Sequence, residues 1–130
     1  MNIVILKVMA VATGGALGAV MRYSATVMTA TWFKDQHYST MLVNVVGSLL
    51  IGYILNWIPH DGSGNEFLRL ALVTGVLGGF TTFSAFSLDT LVLMQTGEMG
   101  KAMLNIAATL VGTLMAVYIG HETGRLIHGI

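Results

Sequence analysis

The stretch Gly75–Ser87, G-V-L-G-G-F-T-T-F-S-A-F-S, lies in the middle of an apolar run from Phe67 to Leu93, and it constrains the fold more than any other. A plain membrane-crossing helix fills such a position with Leu and Val. This one holds three Gly, two Thr, two Ser and three Phe. Gly78 and Gly79 admit backbone angles that other residues resist, so the pattern predicts a helix that breaks. In hydrocarbon, the carbonyls and amides freed by a break must be met by protein, water or an ion, which restricts irregular backbone to places that are buried or line a cavity. A broken helix therefore implies a site. Phe80, Phe83 and Phe86 recur every third residue and share roughly one face if the helix resumes. The plainer alternative is glycine for close helix packing, with the phenylalanines facing lipid.

The rest of the chain has the composition of a membrane protein. Of 130 residues, 55% are hydrophobic and 9% charged, and the mean hydropathy is +0.77. That places the chain outside the usual range of soluble domains. The length suits one all-α domain of four spans, at about 3–32, 39–58, 67–93 and 103–121. Zero net charge without a basic cluster argues against a nucleic-acid partner. The lack of cysteine excludes disulfides, thiolate metal sites and cysteine catalysis. The first apolar stretch runs too long for a cleaved signal and reads as a retained span.

Polar residues recur inside these spans with helical spacing. Gly14, Gly18 and Arg22 are four residues apart in span one, and the two glycines form a GxxxG pattern that admits a close neighbour. Arg22 reads as an interfacial charge if it ends the hydrocarbon segment; if the helix continues towards Trp32, it faces protein or a water-filled entrance. Thr40, Asn44 and Ser48 form one stripe on span two, and Asn105, Thr109 and Thr113 form another on span four. An unpaired amide in hydrocarbon is costly, so Asn44 must face another helix or water. Taken singly, each of these residues can be helix-to-helix glue. Asp89 reads as an interfacial charge, and the loop residues His60 and Asp61 lack the convergent partners of a metal site. The tail from His121 reads as polar or amphipathic.

The charges speak to orientation. Four spans place Lys7, Arg69 and Arg125 on one side of the membrane and Arg22, Lys34 and Lys101 on the other. Orientation follows an excess of Lys and Arg, and three against three gives none. The count predicts insertion in both directions. A monomer of this size cannot readily enclose a polar path, so the expected assembly is an antiparallel, dual-topology homodimer with its two-fold axis in the membrane plane. At that axis two breaks can meet and offer carbonyls to a cation.

The run Gly75–Ser87, with V-N-V-V-G-S at Val43–Ser48 and G-G-A-L-G-A-V-M-R at Gly14–Arg22, resembles the Fluc (CrcB) fluoride channels across all four spans in order. The resemblance implies a fluoride-selective channel that exports fluoride passively across the bacterial plasma (inner) membrane and relieves its toxicity. It implies a dual-topology dimer with two anion pores and a central structural sodium ion. It assigns Asn44, Phe83, Phe86 and Ser84 to the pore and Arg22 to the entrance region, and matches Thr109 and Thr113 to a polar track. Main-chain oxygens of Gly78 and Thr81 would hold the sodium. It assigns nothing to Asn105.

Other classes fit less well. A small dual-topology, proton-coupled multidrug exporter wants a titratable carboxylate deep in the first span, and Asp61, Glu66, Asp89, Glu98 and Glu122 all lie elsewhere. An intramembrane hydrolase needs a nucleophile beside a base. All four histidines lie in loops or at span ends, away from Ser84 and Ser87, so the chain does not read as an enzyme. A non-conducting assembly protein glued by Asn and Thr stays open.

Overall fold

The computed structural model describes residues 2–58 and 65–129. Pro59, His60 and Asp61, read from sequence as the end of span two and a solvated loop, lie outside the described residues. Four helical segments are long and apolar enough to cross a membrane: Ile3–Thr29, Gln36–Trp57, Glu66–Gln95 and Met99–His128. The first (α1) is started by Asn2, whose Oδ1 accepts the Val4 amide at 3.0 Å and so satisfies one of the orphan donors of the first turn. It runs past Arg22 without interruption to Thr29, whose hydroxyl lies 2.7 Å from both the Ala25 carbonyl and the Ser39 hydroxyl. That buried contact ties the end of α1 to the second span, α2 (Gln36–Trp57), across a turn that begins and ends earlier in the chain than the sequence suggests.

The third span has four parts. α3 (Glu66–Arg69) leads into π-helical turns over Leu70–Leu77, then α4 (Gly78–Phe80) and, after Thr81 and Thr82, α5 (Phe83–Gln95). Thr81 has φ −82° and ψ 157°, and Thr82 has φ −153° and ψ 115°, so both are extended. Gly78 itself is helical, at φ −63° and ψ −37°. The glycines are thus not the residues that leave the helix, and Gly79 serves contact instead: a Cβ there would lie 2.5 Å from the Gly15 carbonyl oxygen. The π turns are invisible to a reading by apolar periodicity. Such widened turns are rare and concentrate at functional sites.

The spans pack as two parallel pairs. α1 lies along the third span, from the Lys7–Glu66 ion pair at one end to Arg22 and Gly79 further along. A Cβ on Gly18 would lie 2.0 Å from the Val76 carbonyl oxygen, so only glycine lets these backbones touch. α2 lies along α6 (Met99–His128), from Asp35 and Lys101 at one end to Tyr53 and His128 at the other. Here Gly120 is the point of closest approach, with a Cβ falling 2.1 Å from the Leu49 carbonyl oxygen. The segment from His121 onward reads as a tail in sequence yet stays helical to His128. It does so because Gly124 abuts Tyr53 and Asn56, and Asn56 donates to the His121 carbonyl at 2.9 Å.

Candidate functional site

The two extended residues of the third span are held from α2. Asn44, only 7% exposed, uses both ends of its carboxamide on one residue: Nδ2 donates to the Thr82 carbonyl at 3.0 Å, and Oδ1 accepts the Thr82 amide at 2.8 Å. Thr82 in turn caps the helix that follows. Its Oγ1 accepts the Ala85 amide at 3.1 Å and lies 3.1 Å from the Ser84 hydroxyl. Each such bond contributes about 1 kcal/mol, and an unmet buried partner costs more. Together they make an extended dipeptide tolerable at this depth.

Behind Asn44 opens a cavity of about 490 Å³ between α2, the third span and α6. It brings together most of the residues singled out from sequence: Asn44, Gly78, Thr81, Phe83, Phe86, Thr109 and Thr113, with Ser48 beside them. The Phe83 and Phe86 rings stand 5.3 Å apart at 47°, Phe86 half-buried and Phe83 79% exposed. Thr113 spends its hydroxyl on the Thr109 carbonyl one turn back, at 2.7 Å. Thr109 is different. Its hydroxyl is the one buried side-chain polar atom without a hydrogen-bond partner among the described residues, and the residue is 8% exposed. Buried hydroxyls are nearly always satisfied, and Thr109, a lining residue of the cavity, is the exception.

Two of the residues picked from sequence do not line that cavity. Ser84 is exposed and bonded to Thr82. Arg22 lines a second cavity, of about 330 Å³, with Tyr23, Thr26, Gln36 and Thr40. Its Nε–H donates to the Gly79 carbonyl at 3.1 Å, so Arg22 neither ends its helix nor lies free at the interface. Thr82 and the Asn44 clamp stand between the two spaces, since Thr82 lines both.

A family model described as CrcB-like protein, Camphor Resistance (CrcB), matches residues 9–121. The chain belongs to the CrcB-like family. Individual CrcB-like proteins match most of its length. A protein named fluoride-specific ion channel FluC from Agrobacterium fabrum is 44% identical over 116 residues, covering 88% of this chain and 93% of that one. A protein of the same name from Novosphingobium aromaticivorans is 46% identical over 114 residues, 85% and 89% of the two chains. Another, from Legionella pneumophila, is 43% identical over 125 residues, 95% and 93%. With its four apolar spans, this CrcB-like chain is an integral membrane protein.

Three polar residues of the CrcB-like chain carry more than its sequence discloses. Thr82 is the pivot of the clamp, although the sequence reading passes over it; the available signal was a hydroxyl placed where a helix restarts, the usual N-cap chemistry. Thr40 donates to Asp89 Oδ2 at 2.6 Å, so Asp89 is half-buried and held, not a free interfacial charge. Asn105 lies outside the large cavity and donates to the Thr90 hydroxyl at 2.9 Å, joining α6 to α5.

Proposed function

We propose that the chain is a fluoride-selective ion channel of the bacterial plasma (inner) membrane, through which fluoride leaves the cell passively and its toxicity is relieved. It is not an enzyme. The observation that carries this reading is the orphan Thr109 hydroxyl in a cavity shared with Asn44, Phe83 and Phe86, in a chain similar to proteins named fluoride-specific ion channels. Fluoride is small and strongly hydrated, so its path must supply donors in place of water or incur a large desolvation cost. Asn44 Nδ2 carries two hydrogens and gives one to Thr82, which leaves one for an ion. Thr109 offers a free hydroxyl, and the Phe83 and Phe86 ring edges carry the positive end of the aromatic quadrupole. Neutral donors bind an anion without trapping it as a buried lysine would. Thr113 and Ser84 extend the track at its margins, and Arg22, in its own cavity, adds positive potential at the entrance.

The functional unit in this reading is an antiparallel, dual-topology homodimer built on a broken third helix. The near balance of Lys and Arg supports it, three against two once Arg22 is counted inside its span. So does the exposure of Phe83, a pore residue that a second copy would cover. Sodium is the structural cofactor of the dimer, held by the Gly78 and Thr81 carbonyls. The residues fit it, because the amides that would occupy these two oxygens in a continuous helix are bonded elsewhere, and neutral carbonyl oxygens suit a hard monovalent cation. Its chemistry is to hold the two interruptions together, not to move fluoride.

Growth of fluoride-sensitive bacteria in fluoride medium tests the proposal. The wild-type chain restores growth; a version locked in one orientation by added lysines does not, and two oppositely locked versions do so together. Growth rescued by one locked version alone would refute the antiparallel unit, and no rescue by wild type would refute the function.

A further inference from the structure

Not every carbonyl near the interruption is open to a cation, and the hydrogen bonds say which are. The Leu77 oxygen accepts both the amide and the hydroxyl of Thr81, at 3.0 and 2.9 Å. The Gly79 oxygen accepts Arg22 Nε–H at 3.1 Å. In an uninterrupted α-helix the Gly78 oxygen would accept the Thr82 amide and the Thr81 oxygen the Ala85 amide. Neither bond exists here. The Thr82 amide goes to Asn44 Oδ1 at 2.8 Å, and the Ala85 amide goes to Thr82 Oγ1 at 3.1 Å.

We infer that Asn44 and Thr82 are positioning residues for the cation ligands: each takes an amide that would otherwise cap one of the two carbonyls, Asn44 for Gly78 and Thr82 for Thr81. An amide hydrogen on a carbonyl places positive charge where a cation would sit, so diverting it makes the oxygen a ligand. The inference rests on the sodium reading above and extends it to two side chains outside the ligand set. It also gives Asn44 two separable jobs. Its Oδ1 serves the cation ligand, and the spare hydrogen on Nδ2 serves the anion.

The separation makes the inference testable without measuring transport. Purified protein is unfolded thermally in detergent across a sodium titration, with N-methylglucamine chloride keeping the ionic strength constant. Wild type is stabilised by sodium. Asn44→Leu and Thr82→Val each lose the diverting acceptor, and the sodium concentration for half-maximal stabilisation rises about tenfold or more. Asn44→Asp and Thr82→Ser keep the acceptor and keep the wild-type response. Valine is isosteric with threonine and favours extended backbone, so Thr82→Val folds even where Asn44→Leu does not, and its contrast with Thr82→Ser then decides. Wild-type sodium response in Thr82→Val and Asn44→Leu overturns this inference alone. Loss of response in Asn44→Asp and Thr82→Ser as well also overturns it, because any change would then suffice. No sodium response in wild type overturns the sodium reading with it.

Discussion

Arg22 and Gly79 belong to different spans, and the guanidinium Nε–H of one donates to the main-chain oxygen of the other at 3.1 Å. A charge at the middle of an apolar helix is expensive unless it is bonded, and a carbonyl at the end of a short helical piece needs a donor. Each solves the other's problem. Arg22→Leu leaves the Gly79 carbonyl without its donor and costs about 1–3 kcal/mol. A lower melting temperature of the purified protein, with fluoride efflux reduced in the same variant, is the expected outcome. Arg22→Lys recovers part of both, because lysine keeps the charge without the planar fork.

Thr109 separates stability from function. Thr109→Val keeps the shape and removes a buried hydroxyl that has no partner, so the protein should be unchanged or more stable by up to about 1 kcal/mol. Fluoride efflux should nevertheless fall by about tenfold, equivalent to about 1.4 kcal/mol on the barrier. Thermal unfolding and efflux measured on one preparation check both halves. Unchanged efflux would mean that the hydroxyl does not meet the ion.

Much of this arrangement is readable from sequence, and the part that is not has a physical cause. The four spans follow from apolar runs of sufficient length, and four-residue spacing puts Asn44 and Ser48 on one face of α2 and Thr109 and Thr113 on one face of α6. The site of departure from the helix does not follow. Gly78 and Gly79 are free to leave it and do not, because the deciding interaction is long-range: a carboxamide on α2 bonding the backbone of Thr82. The helical continuation past His121 is likewise held by tertiary contact, at Gly124 and Asn56. The sequence leaves the place of Arg22 open for the same reason, since its partner is a main-chain oxygen, and sequence carries no mark for one.

Phe83 and Phe86 test the aromatic contribution. An apolar swap at a lipid-facing or core-filling ring is tolerated at under about 1.5 kcal/mol. Phe83→Ile and Phe86→Ile should instead cut fluoride efflux sharply while the protein still elutes from size-exclusion chromatography at the wild-type position. Asn44→Asp should do the same, because a carboxylate beside the path repels the anion. Wild-type flux in all three would remove these residues from the pore.

The central claim is selective passage of fluoride, and paired efflux measures it most directly. Liposomes holding the purified wild-type protein are loaded with equal potassium fluoride and potassium chloride, and a potassium ionophore starts the run. Electrodes for the two anions then follow both at once. The account predicts prompt release of fluoride while chloride stays inside until detergent is added. Equal release of the two anions, or release of neither, would contradict it.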